Sequence, residues 1–354
     1  MPVSIVVGGQ FGSEGKGKVS LELVRMATAP RVAVVRVGGP NSGHTAYDRS
    51  GQKFALRQLP AGAVDRNVDV VFPAGSFIDL DVLQDEIELL DYPRDRIFIS
   101  PYANIITPEQ KAWEVDAGLV TGIGSTGSGV GAAIMASVAR EAANFPLQRH
   151  EAQHCEPLEQ YLCDTTLKMR QWLNGKARIV IEGTQGFGLS LYDGGFWPKA
   201  TSRCTTAASA LTETGLSPID VDEVVLVLRS FPIRVAGMSG PLPNETSWED
   251  IAKSAGIDRS IREFTTVTKN LRRVGEFDPD VVKSAISANN PTAIVLNHMD
   301  YIGDEREVVD QSSKVTEFIS RVEDEVAARI AYVGFSGKAI IDLRSAKCAA
   351  AIRA

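Results

Sequence analysis

The chain has 354 residues, 44% hydrophobic and 23% charged, the ordinary range for a soluble globular protein. Its 44 acids outnumber its 37 lysines and arginines, giving a net charge of −7, which argues against a general binder of polymeric nucleic acid or of a membrane surface. No apolar run approaches the roughly 18 residues of a membrane span, and the opening MPVSIVVGGQ has no basic leader region, so a cytoplasmic location is expected.

In chain order, β-branched runs predict buried strands at residues 3–7, 32–37, 68–72, 97–100, 178–181, 221–228 and 293–296. Amphipathic stripes predict helices over residues 79–90 and 314–330. Strands alternating with helices imply an α/β fold with a mainly parallel central sheet flanked by helices. No repeat or low-complexity linker divides the chain, so residues 1–354 are expected to form one integrated catalytic domain. The four cysteines, Cys155, Cys163, Cys204 and Cys348, form no CxxC pair and fit a reducing compartment. In RHEAQHC, His150 and His154 can share a helix face beside Cys155. With no second ligand pair at zinc spacing, this reads as a polar helix surface.

Four of the six polar and glycine-rich segments directly follow an expected strand. Residues 8–18, GGQFGSEGKGK, follow a buried strand. Their bare N–H groups and Lys16 suit a phosphate. This is not a Walker A loop: five residues separate Gly9 from Gly15, and Gly17 stands where the metal-binding hydroxyl belongs. RVGGPNSGHT places Asn41, His44 and Thr45 in a second glycine loop, where the histidine suits acid chemistry or oxyanion stabilisation. TGIGSTGSGVGAA, residues 121–133, suits a second anion such as a monophosphate, or is a flexible loop. In IEGTQGFGLSLYDGGFWPKATSRCTT, Gln185 can pair with a base edge or hold a ribose, and Thr201 and Ser202 offer hydroxyls. EFTTVTKNLRRVGEFD sets hydroxyls beside Arg272 and Arg273, suiting a carboxylate or else a solvated basic turn. AIVLNHMD ends a strand in Asn297 and Asp300, which suits guanine's edge or a plain polar strand end.

Taken together and in this order, QFGSEGKGK, GGPNSGHT, IGSTGSGVG, EGTQG, RVAGMSGPLPNE, TVTKNLRRVG and LNHMD resemble the adenylosuccinate synthetase family. The resemblance implies a two-step ligation. A nucleoside triphosphate phosphorylates O6 of a purine monophosphate, and the amine of L-aspartate then displaces that phosphate at C6. It implies Mg²⁺, a homodimer, and roles residue by residue. Lys16 and His44 match catalytic positions. Asn41, Thr126, Arg140, Gln185 and Thr201 match contacts to the monophosphate nucleotide, Arg140 from across a dimer interface. Gly12, Gly15, Lys16, Gly17, Gly43, His44, Thr45, Asn297 and Asp300 match the triphosphate site. Thr266, Val267, Thr268 and Arg272 match the aspartate loop, and the carbonyl of Gly43 matches a metal ligand.

Three departures sharpen the resemblance. Ser13 stands where the family has an aspartate that takes the N1 proton and ligates Mg²⁺. Asn270 replaces an arginine near the ribose, and His298 replaces a lysine beside the triphosphate's base. A small residue at position 13 resembles the phage 2-aminoadenylosuccinate synthetase branch, which implies dGMP as acceptor and a product leading to diaminopurine DNA. Ser13 then falls on a catalytic, dGMP-binding and metal-binding position. ATP or dATP is the implied donor, with GTP less favoured. Two other readings stay open: an ordinary synthetase using IMP and GTP, and a nucleotide-binding homologue without catalysis.

Overall fold

The structure is a computed structural model and describes residues 2–257, 261–265, 270–337, 339–343 and 345. Seven strands fall on the expected runs: β1 (Val3–Gly8), β2 (Val32–Arg36), β3 (Asp69–Phe72), β4 (Ile97–Ile99), β5 (Arg178–Glu182), β6 (Val221–Arg229) and β7 (Ala293–Asn297). Two more, β8 (Tyr332–Phe335) and β9 (Ala339–Asp342), complete a nine-stranded sheet in the order β9-β8-β7-β6-β1-β5-β2-β3-β4. All neighbours pair in parallel except β8 and β9.

Parallel strands bury both faces, which is why they read as continuous β-branched runs. On one face Ile5, Val35, Ile181 and Leu228 pack with Leu211, Val282, Phe318 and Val322. On the other, Val6, Val34, Val180 and Val227 pack with Val19 and Val24 of helix α1 (Lys16–Met26). The strand β8 gave no sequence signal because Gly334 interrupts it. A Cβ there would overlap Asn297 and Lys18, so the close approach excludes the side chains that mark strands.

Helix Leu80–Leu90 is formed as expected, after Asp79. The helix expected over 314–330 stops at Val326, because Ala327 turns left-handed at φ 52°. Ile330 is still buried, on the return towards β8, so the apolar stripe outruns the helix. The expected helix surface at 150–155 is instead a single turn of 3-10 helix, Ala152–His154. His150 and His154 therefore share no helix face, and the described residues contain no cluster of three or more metal-ligating acids, histidines or cysteines. No helix among them is long and apolar enough to cross a membrane.

The strand order positions the site. After β1 the chain runs outward on one side through β2, β3 and β4. It then inserts β5 beside β1 and crosses to the other side with β6 and β7. The loop after β1 thus leaves the sheet where the winding reverses, the place where an open α/β sheet leaves a crevice at its strand ends.

Candidate active site

The loop after β1 is wrapped around its own acid. Glu14 is fully buried, and its carboxylate accepts from Gln10 N (3.2 Å), Gly12 N (2.8 Å) and Lys16 Nζ (2.8 Å). Asn297 Nδ2 donates to the Glu14 carbonyl at 2.8 Å. Two of the loop's N–H groups are therefore satisfied internally, and Lys16 is held ready beside a carboxylate. Ser13 sits at the tip, exposed, with a left-handed φ of 56°. Arg229, at the end of β6, donates to its carbonyl at 3.2 Å.

Gly17 explains the departure from Walker A. A Cβ at that position would lie 2.9 Å from His44 Cβ and 3.0 Å from Ala61 Cβ. The space a Walker hydroxymethyl would need is taken by the histidine. His44 opens a short hairpin, His44–Tyr47 with Lys53–Leu56, that packs against α1.

Beneath His44 lies Glu182, at the end of β5. Glu182 Oε1 is 2.5 Å from His44 Nδ1 and 3.0 Å from Arg36 Nη1, and Ala61 N donates to the same carboxylate. Burial opposes ionisation of Glu182, but His44, Arg36 and the Ala61 N–H outweigh it and bring its pKa down to about 2. Burial, then the Arg36 charge, lowers His44 to about 4. Arg36 Nη1 also lies 2.8 Å from His44 Nδ1; with Glu182 ionised and the imidazole neutral, we assign the Nδ1–H to the shorter contact with the carboxylate, which leaves Nε2 as the acceptor.

This carries a pH prediction. A lowered folded-state pKa means the unfolded chain takes up the proton first as pH falls. Stability is held above pH 6.5 and lost between there and about 4 for His44, at up to about 1.4 kcal/mol per pH unit. Denaturant titrations from pH 7 to 5 should show a steeper loss in the wild type than in His44→Asn, whose amide does not titrate. Parallel losses would contradict the assignment of His44 as buried and neutral.

A cleft of about 660 Å³ opens over these elements. Of the residues expected from sequence, Gly12, Ser13, Gly15, Lys16, Gly17, Asn41, Gly43, His44, Thr45, Thr126, Gln185, Arg272 and Asp300 line it. Three do not. Asn297 is fully buried behind the phosphate loop and acts on it through Glu14. Thr201 is half-buried, and its N–H donates to the carbonyl of Leu189, which does line the cleft. Arg140 is exposed at the end of helix Val130–Ala139, outside its own chain's cleft. Thr266, Val267 and Thr268 lie outside the described residues.

The third glycine segment differs from the expected anion nest. At the start of helix Val130–Ala139, Glu114 accepts from Gly129 N (3.0 Å), Gly131 N (2.7 Å) and Ala132 N (3.2 Å). Its carboxylate already occupies the position an anion would take, so the segment presents Gly124, Ser125 and Thr126 to the cleft. Asp300 is likewise engaged: its Oδ1 accepts from Ser336 N at 2.9 Å. Lys18, lowered to about 8 by burial despite Asp300, donates to the Ser336 carbonyl at 3.1 Å.

Sequence reasoning missed Glu182, Arg229, Glu263 and Tyr301. Glu182 had a usable signal, being the last residue of a buried strand directly before GTQG. The other three gain meaning only from contacts made across the fold.

The family model of adenylosuccinate synthetase matches residues 5–148 and 147–310. The adenylosuccinate synthetase of Archaeoglobus fulgidus is 35% identical over 358 residues, covering 98% of this chain and 100% of that one. That of Methanocaldococcus jannaschii is 34% identical over 351 residues, covering 97% of each.

The chain belongs to the adenylosuccinate synthetase family.

Among solved structures, the succinoaminodeoxyadenylate synthetase (PurZ) of cyanophage S-2L, bound to dGMP and dATP as an energy donor, superposes with a TM-score of 0.78. It is 28% identical, with 99% of each chain covered. The fully ligated adenylosuccinate synthetase of Plasmodium falciparum has a TM-score of 0.81 at 20% identity, covering 97% of this chain and 100% of that one, a likeness of fold. Membership of the adenylosuccinate synthetase family makes this a C–N-forming ligase.

Proposed function

We propose that the chain joins L-aspartate to C6 of dGMP at the expense of a nucleoside triphosphate. The product is 2-amino-2'-deoxy-N6-succinyladenylate, a precursor of diaminopurine DNA. The observation that carries this reading is Ser13, a short neutral side chain exposed in the cleft at the tip of the phosphate loop. Guanine differs from hypoxanthine by an amino group at C2, next to N1. A serine leaves room for that group and can exchange a hydrogen bond with it. The PurZ structure, bound to dGMP and dATP, supports the same acceptor and an adenine donor.

In this reading O6 of the purine attacks the γ-phosphorus, the bond to the β-phosphate oxygen breaks, and the N1 proton passes to solvent. Lys16 stabilises the transferring phosphoryl. His44, neutral at rest, gains a proton from solvent at Nε2 as the anionic substrates bind, donates it in a hydrogen bond to O6 as negative charge builds there, and gives it to the phosphate that aspartate's amine displaces, the amine losing one proton to solvent as the C6–N bond forms. Glu182 supports the imidazolium formed in between. Asn41, Thr126, Gln185 and Thr201 hold the monophosphate nucleotide, and Gly12, Gly15, Gly17, Thr45 and Asp300 hold the triphosphate. Arg272, with Thr266, Val267 and Thr268, holds aspartate. Arg140 acts from the second subunit of a homodimer, in line with its exposure outside its own cleft. The chain works as one catalytic domain in the cytoplasm.

Mg²⁺ fits this site as an ion carried by the nucleotide. The protein atoms offered are hard oxygens, the Ser13 hydroxyl and the Gly43 carbonyl, while the carboxylate next to Ser13 in sequence, Glu14, is turned into the loop. Bound there, the ion would neutralise phosphate charge during transfer.

The test is product identity. With Mg²⁺, aspartate and dATP, dGMP should give a succinyl adduct by mass spectrometry and aspartate-dependent phosphate release. No adduct from dGMP, with adduct from IMP and GTP, would overturn the proposal in favour of the ordinary synthetase. That second reading is favoured by the curated relatives, which are adenylosuccinate synthetases at higher identity than PurZ. Nucleotide binding with no adduct from either acceptor would instead mark a non-catalytic homologue.

A further inference from the structure

Along one wall of the cleft, Glu263, Arg272 and Tyr301 form an ion network that runs back to the buried Arg229. Arg229 has a fully buried side chain, and its Nη2 lies 2.5 Å from Glu263 Oε1 while its Nη1 lies 3.3 Å from Oε2. The same Nη1 donates to the Ser13 carbonyl, and the Arg229 backbone is clasped by both ends of the Gln10 side-chain amide. Glu263 also accepts from Tyr301 Oη at 2.9 Å and lies 3.6 Å from Arg272 Nη1. Arg272 N donates to the Glu263 carbonyl at 2.8 Å, so the two residues face each other across paired backbone. Burial opposes its ionisation, yet Arg229, His298 and Arg272 hold Glu263 charged, well below the usual carboxylate range.

A carboxylate that only balanced Arg229 would not need the other two contacts. From them we propose that Glu263 is a positioning residue: it orients Arg272 towards the carboxylate of aspartate and ties that arginine, through Arg229, to the Ser13 backbone. This rests on the reading of Arg272 as the partner of aspartate. A guanidinium offers donors on more than one edge, so Glu263 can fix one edge and leave another for the substrate.

The test is a comparison of Michaelis constants. Glu263→Gln keeps the shape and removes the charge. It should raise KM for aspartate about tenfold, in the range of ordinary coupling energies, while KM for the purine and triphosphate nucleotides changes less than about twofold. Tyr301→Phe removes only the hydroxyl contact and should move KM for aspartate in the same direction by less. It keeps the proposal testable if Glu263→Gln does not fold with Arg229 left unpaired. The inference is overturned if KM for aspartate is unchanged in the folded variants, or if all three constants rise together with a fall in Tm, as a packing role would give. Wild-type turnover independent of aspartate would overturn the functional reading and this inference with it. Aspartate-dependent wild-type turnover with unresponsive variants would overturn this inference alone.

Discussion

Replacing His44 by alanine should reduce kcat by about 10²–10⁴-fold while leaving dGMP affinity within a few-fold of wild type. The expectation follows from where the imidazole sits. It lines the cleft, its Nδ1 is committed to Glu182 at 2.5 Å, and the Glu182 carboxylate is pinned by Arg36 and by Ala61 N. A side chain held this way is fixed in tautomer and direction before substrate arrives, which is what proton transfer at O6 requires. Glu182→Gln should show the same signature, because an amide supports the imidazolium poorly. Stopped turnover with intact binding is the pattern of a group acting in the transition state. A loss confined to nucleotide affinity would make His44 an anchor and remove it from the chemistry.

Ser13→Asp should shift acceptor preference from dGMP towards IMP by at least about 10²-fold in the ratio of kcat/KM. The backbone will accept the change. Position 13 is left-handed at φ 56°, a conformation that aspartate tolerates better than most residues. Its carbonyl is held by Arg229, so the loop tip keeps its place. The new carboxylate fills the volume that the C2 amino group would need and supplies an acceptor for the N1 proton. Unchanged dGMP preference in Ser13→Asp would mean that another residue reads the C2 position.

Much of this site was legible along the chain because its parts hang on sheet ends. Seven buried parallel strands announce themselves as β-branched runs, and the glycine loops that follow them gather at one end of the sheet. Ser13, Lys16, Asn41, His44, Gln185 and Arg272 duly meet in one cleft. What escaped was pairing across distance. Glu182 stands 138 residues from His44, and Glu263 stands 34 from Arg229, so only the fold makes either pair visible. Competition among acids was equally hidden. Glu114 occupies a helix start that reads as an anion nest, and Glu14 occupies part of the phosphate loop itself. Asn297 shows the same effect in a polar side chain: its place at a strand end suggested ligand contact, yet burial makes it a brace for the loop.

The claim that Ser13 marks a guanine acceptor is tested most directly by competition. Equal concentrations of dGMP and IMP, with Mg²⁺, aspartate and dATP in one reaction, yield two succinyl products whose initial ratio equals the ratio of the two kcat/KM values. A ratio strongly favouring the 2-amino product in the wild type, and collapsing in Ser13→Asp, is the expected result. A wild-type ratio favouring the IMP product would contradict the account.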